Sequence, residues 1–394
     1  MIRLVEQIAT YDVGSLPSDL DSQAIVEGAN TYLTVMPLLQ PEAPESRHAR
    51  AFEKTCVQGF LDKLNSGIDI PNYVQLRDMN TMFLDMISGI EKRGANYVRT
   101  GPLSLRSGSR IPEVEAIRRN ASVIKRKSNE ESIRIKVCLT GPYTLSTLFA
   151  PRDASLFLEL GNVLSQLVTD TMFRSTHAQI SLITLDEPVF GFLNDPLLDA
   201  GSEGRERLLE AWEGTCKNAS SKGALTSFHL HNTSDQLFWS VEHLRIVEAH
   251  AEDPVYKHKT TKRRLEETDK QLKASICVTD FDRLILSYLS RNHIRTEQQL
   301  QEGLAEVWRN IRGGKTDPLL FLEDKETMEA RLADVVSRFG EEHVPYAGPE
   351  CGLRSFTSVN AALTCLSRLS QAVKDFENRD RMLLQNKAGL GQFS

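Results

Sequence analysis

Residues 224–231 read Ala224-Leu225-Thr226-Ser227-Phe228-His229-Leu230-His231. The run is short, mostly apolar or β-branched, and ends on two histidines one residue apart. Parallel strands bury both faces, so they appear in sequence as near-continuous apolar runs. Similar runs occur at 134–140 (RIKVCLT), 180–185 (ISLITL), 244–248 (LRIVE) and 274–279 (ASICVT), with a shorter candidate at 343–346. Between and around them lie segments with helical spacing, at 49–65, 78–92, 155–174, 205–217, 296–312 and 325–339. Such alternation predicts βαβ units and a parallel sheet. No Gly-rich dinucleotide turn follows an early strand, which disfavours a doubly wound open sheet. A length of 394 residues suits one α/β barrel with insertions. The expectation is a single (βα)8 TIM barrel over residues 1–394. It carries a polar insertion near 253–273 and a frayed tail near 386–394.

Composition narrows the function. A net charge of −6 argues against a nucleic-acid backbone as main partner. The basic run from Lys257 to Arg264 reads as a solvated helix start. No window approaches the ~18 apolar residues of a membrane span, and the N-terminus lacks the pattern of a signal peptide. Cys56, Cys138, Cys216, Cys277, Cys351 and Cys365 form no CxxC pair, which suggests reduced thiols in a cytoplasmic protein. Five of them sit in apolar or helical surroundings. Cys351 alone is flanked by Gly and Pro, in Gly348-Pro349-Glu350-Cys351-Gly352.

In a βα barrel the strand C-termini build the active site. His229 and His231, at i and i+2 of a strand, face one point and could bind a metal. Glu248 ends the next strand candidate and is a possible carboxylate ligand, with Glu252 and Asp253 as rivals. Cys351 would add a thiolate, and a donor set of sulfur and nitrogen favours Zn²⁺. Asp186, in Asp186-Glu187-Pro188, points into the mouth or caps a helix. Ser15, after Gly14, could donate to a substrate carboxylate. Thr144, in Gly141-Pro142-Tyr143-Thr144, reads as a helix N-cap.

In order, the motifs are DVGSLP, LTGPYTL, ITLDEPVF, HLH and GPECGLRS. The set resembles the catalytic barrel of the cobalamin-independent methionine synthase family, in its short core form. That family holds zinc through His, Cys, Glu and Cys, and the zinc binds the homocysteine thiol. The resemblance implies zinc ligands His229, His231 (in place of a cysteine), Glu248 and Cys351. It implies substrate contacts from Ser15 and Asp186. It departs from the family in the run Asn72-Tyr73-Val74-Gln75-Leu76-Arg77-Asp78-Met79, which has no acid where the family usually carries a glutamate ahead of the arginine. It departs again at Thr279-Asp280-Phe281-Asp282, where the family's D-x-H loop carries a histidine and this chain has none.

The implied activity is zinc-dependent transfer of a methyl group to a thiol, with homocysteine giving methionine. A methyl-corrinoid protein partner, or methyl-folate, would be the donor. The alternatives are a metal-free uroporphyrinogen-decarboxylase-like barrel, using Arg106 and Arg110, and a non-catalytic barrel that binds a partner protein.

Overall fold

The computed structural model describes residues 7–35, 44–192, 194–291 and 296–390. Nine strands form among them: β1 (Ala9–Thr10), β2 (Ile87–Arg93), β3 (Asn96–Leu105), β4 (Ile133–Thr140), β5 (Ala178–Glu187), β6 (Leu225–Leu230), β7 (Ile246–Ala249), β8 (Gln271–Cys277) and β9 (Tyr346–Pro349). Seven make one curled parallel sheet in the order β1-β9-β8-β7-β6-β5-β4, with helices between them. The strand expected at 343–346 starts three residues later, because residues 341–343 form a 3₁₀ turn.

The parallel sheet thus has seven strands, and among the described residues an eighth barrel strand is not formed as such. Residues 70–75 run between the two sheet edges instead. Ile70 N–H donates to Thr10 O (3.0 Å), Lys136 N–H to Pro71 O (2.9 Å) and Tyr73 N–H to Lys136 O (3.2 Å). Isolated parallel bridges join Ser15 to Gln75 and Asn72 to Lys136.

The helices begin where short polar side chains can accept from orphan amides. Asp153, Ser202, Thr296 and Asp324 each cap a following helix this way. The expected helix at 78–92 does not form. Asp78 Oδ1 accepts from Thr81 N–H at the head of the short turn Thr81–Leu84, and β2 then pairs antiparallel with β3. Gly89 has φ +83°, and a Cβ there would meet Pro102 O at 2.3 Å. Met82, Phe83, Leu84, Met86 and Ile87 are all buried, so the apolar spacing recorded core burial rather than a helical stripe. The basic run does start a helix, Lys259–Thr268, within the expected insertion. The last helix runs Val359–Leu390.

Inside the sheet, side chains alternate with the strand period of two. Tyr11, Ile70, Leu182 and Ile246 form a small apolar cluster separate from the main core. Two residues further along the strands come Thr184 and Glu248, with Thr184 Oγ1 2.5 Å from Ser227 Oγ. Two further come Asp186 and His250. The interior is therefore layered, and its last layer opens at the strand C-termini.

Candidate metal centre and its pocket

His229, His231, His250 and Cys351 converge at that last layer, each offering one ligand atom within 4.8 Å of all the others. β6 supplies His229 and positions His231 just after its end. His250 follows β7, and Cys351 follows β9. Cys351 Sγ lies 3.6 Å from His231 Nε2. Both ring nitrogens of His229, and Nε2 of His250, are buried without a hydrogen-bond partner. A buried polar atom without a partner costs roughly 1–3 kcal/mol. One nitrogen of His229 and Nε2 of His250, unpartnered beside His231 and Cys351, fit a metal ion.

The electrostatics agree. Burial holds His229 well below the usual histidine range, and His231, Lys273 and Lys136 push it the same way. His231 is lowered to about 3 by burial and by His250. Burial also lowers His250. All three imidazoles therefore keep free lone pairs at neutral pH. Burial pushes the Cys351 thiol up to about 12, with Asp186 adding to the rise. A neighbouring cation is what this thiol needs in order to ionise.

Glu248 is not part of the four-residue group. It lies deeper, fully buried, 2.7 Å from Lys273 Nζ through Oε2 and 3.3 Å from Lys136 Nζ through Oε1. Burial raises its pKa, but the two lysines more than offset that and leave it below the ordinary value. Its rivals are engaged too. Glu252 pairs with Lys257 at the surface, and Asp253 accepts from Thr233 N–H and Val255 N–H. The strand-end histidine His250 occupies the place expected for an acid. The i, i+2 rule that singled out His229 and His231 would have found it, two residues beyond Glu248. Glu350 was also missed. It accepts from Ala251 N–H (3.0 Å) and Thr279 N–H (3.2 Å), tying the His250 loop to the Cys351 loop.

A pocket of about 460 Å³ opens over this group; its walls include Ser15, Gln75, Asp186, His250, Cys351 and Arg354. Asp186 is buried, its Oδ1 has no partner, and its carboxyl is pushed up to about 8, chiefly by burial. Ser15 stands against the Cys351 loop, with its carbonyl accepting from Leu353 N–H. Arg106 and Arg110 are not in the pocket wall. Arg106 donates to Ile87 O, and Arg110 faces Glu115.

Thr144 is not a cap. The N-cap of helix Pro142–Ser146 is Gly141, and the first-turn amides of Tyr143 and Thr144 donate to the Glu187 carboxylate. Glu187 also accepts from Trp212 Nε1 (2.8 Å). The carboxylate beside Pro188 thus fixes the end of β5, where Asp186 sits.

The pocket's outer wall rests on a buried pair. Arg77 donates to both oxygens of Glu113, at 2.7 and 2.8 Å. Glu113→Gln is expected to cost about 3–5 kcal/mol, the usual cost of leaving one buried partner unpaired. Urea unfolding checks this; a change below about 1 kcal/mol would show the pair to be solvated in practice.

Comparison with known proteins adds the fold. No protein-family model matches the sequence, and no curated protein sequence does either. Among solved structures, a B12-independent methionine synthase from Shewanella sp. W3-18-1, in complex with selenomethionine, aligns with TM-score 0.61 at 15% identity, over 96% of this chain and 99% of that one. A putative vitamin-B12 independent methionine synthase from Listeria monocytogenes aligns with TM-score 0.56 at 14% identity, over 94% and 98%. A methyltransferase from Methanosarcina mazei gives 0.50 at 13%, over 95% of each chain. Among the described residues, no helix is long and apolar enough to cross a membrane. At these identities the likeness is one of fold, and over nearly its whole length this chain has the fold of the B12-independent methionine synthases.

Proposed function

We propose that this chain is a zinc-dependent methyltransferase acting on a thiol, with homocysteine as acceptor and methionine as product. One observation carries the reading. Three neutral imidazoles and a thiol meet at the strand ends, and three of their nitrogens have no partner within the protein. His229, His231, His250 and Cys351 would hold Zn²⁺. When bound there, zinc supplies the positive charge that deprotonates an acceptor thiol at neutral pH while leaving it nucleophilic.

The remaining work falls to the chain's own side chains. Asp186, its Oδ1 unpartnered, accepts from the ammonium of the acceptor. Ser15, across the pocket, donates to the carboxylate. Together they orient the sulfur and supply proximity rather than charge. The sulfur attacks the methyl carbon, an S–C bond forms, and the donor keeps the electron pair of the bond that breaks. The donor is a methyl-corrinoid carried by a partner protein, or methyl-folate. Gln75, an amide in the pocket wall, leaves Asp186 to hold the ammonium without help from a second acid there. With a single anionic ligand, Cys351, the bound thiolate is less electron-rich than over two thiolates, so turnover is slower.

Two measurements on the purified chain test this. Metal analysis after zinc loading and dialysis is expected to find a single zinc per chain. Incubation with methylcobalamin and homocysteine is expected to yield methionine. A chain that retains no zinc at micromolar concentrations would end the reading.

A further inference from the structure

The buried Lys136–Glu248–Lys273 cluster lies directly behind the imidazoles, and the proposed chemistry gives it no task. Glu248 and His229 are register partners across β6 and β7, so the strand pairing fixes their backbones side by side. Glu248 Oε2 lies 3.9 Å from His229 Nδ1, and both side chains are fully buried. Neither nitrogen of His229 has a hydrogen-bond partner. Of the other rings, His231 Nε2 faces Cys351 Sγ, and His250 Nε2 is buried without a partner.

We propose that Glu248 is the positioning residue for His229: its carboxylate, held by Lys136 and Lys273, accepts the Nδ1–H of His229 and commits Nε2 to the metal. The inference rests on the metal reading above. A separation of 3.9 Å exceeds a hydrogen bond, so the bond forms as the site fills. A ligating imidazole generally donates its other N–H to a carboxylate or carbonyl, which fixes the tautomer and raises the basicity of the ligand. Glu248 is the carboxylate within reach of Nδ1. The lysines hold it from two sides, with Lys273 Nζ also donating to Pro349 O (2.6 Å) and Lys136 Nζ to Asp12 O (3.0 Å). They thereby link the carboxylate to β9, the strand that leads to Cys351, and to the chain leading from β1 to Ser15.

The test measures zinc affinity by competition with a chromophoric chelator, on Glu248→Gln and Glu248→Asp. Both are expected to bind zinc roughly 10–100-fold more weakly than the wild-type chain. Glu248→Asp keeps the charge and withdraws the carboxylate by one methylene, so it separates placement from electrostatics. Glu248→Gln leaves two lysines without a counter-charge and can fail to fold. A second measurement therefore needs no variant at that position. In the zinc-loaded wild-type chain, ¹⁵N-histidine NMR is expected to show His229 protonated at Nδ1 and bound through Nε2, the signal being assigned with His229→Gln. Folded Glu248→Asp with wild-type affinity, or His229 bound through Nδ1, would overturn the proposal. A wild-type chain that binds no zinc would remove the metal reading itself. One that binds zinc with indifference to Glu248→Asp removes only the positioning role.

Discussion

Methyl transfer by Cys351→Ala is expected to fall by on the order of 10³-fold or more, with the zinc lost. Metal polarisation supplies several kcal/mol of charge stabilisation. At about 1.4 kcal/mol per factor of ten, losing some 4 kcal/mol accounts for that drop. Cys351 is the one cysteine of the six that is only partly buried, and the one that contributes to the four-residue group. His250→Ala is expected to behave alike, since it removes a ligand atom from the same group. Cys216→Ala is the control: it sits buried on the helix Glu203–Ser221, and its zinc content is expected to match the wild type. Metal analysis and a single-turnover assay read all three. Undiminished zinc in both Cys351→Ala and His250→Ala would refute the ligand assignment, whatever happened to activity.

A large effect on stability is expected at Glu248, and its partners are expected to show a smaller one. Lys136 and Lys273 share this one carboxylate, and all three side chains are fully buried. Glu248→Leu leaves two buried ammonium groups without their counter-charge, a loss of about 3–5 kcal/mol or more. Lys273→Met is milder. It leaves a balanced Lys136–Glu248 pair and one carbonyl, Pro349 O, without its donor, at roughly 1–3 kcal/mol. Burial lowers both the Lys63 and the Lys273 ammonium, while Asp12 and Glu248 respectively counter it. Denaturant unfolding of the two variants gives the comparison. Lys273→Met proving as destabilising as Glu248→Leu would show that the cluster is not short of negative charge.

The strands were legible where both faces are covered. Residues 134–140, 180–185 and 224–230 read as continuous apolar runs and fall within or next to β4, β5 and β6. The misread segment, 78–92, failed because burial of a short turn and one face of a hairpin mimics a helical stripe. The eighth strand failed for another reason: residues 70–75 use backbone bonds to both edges without forming a regular ladder. At the site, His229, His231, Cys351, Asp186 and Ser15 were legible from their place at strand or motif ends. Glu248 was not, because its partners come from β4 and β8. Nothing in the local sequence tells that two lysines far along the chain point at one carboxylate. His250 was legible in principle, by the same parity as His229 and His231.

The pairing of β1 with β9 sets a condition on biosynthesis. Ala9 lies beside Tyr346, and Thr10 beside Ala347, so β1 waits for β9, more than 300 residues later. Until residue 349 has left the ribosome, β1 and β8 each lack the neighbour that separates them in the finished sheet. Unpaired strand edges invite association with other chains, and pairing across such sequence distance is intrinsically slow. The centre inherits the same delay, because Cys351 emerges just after β9. The four-residue group is therefore completed only once residue 351 has been made.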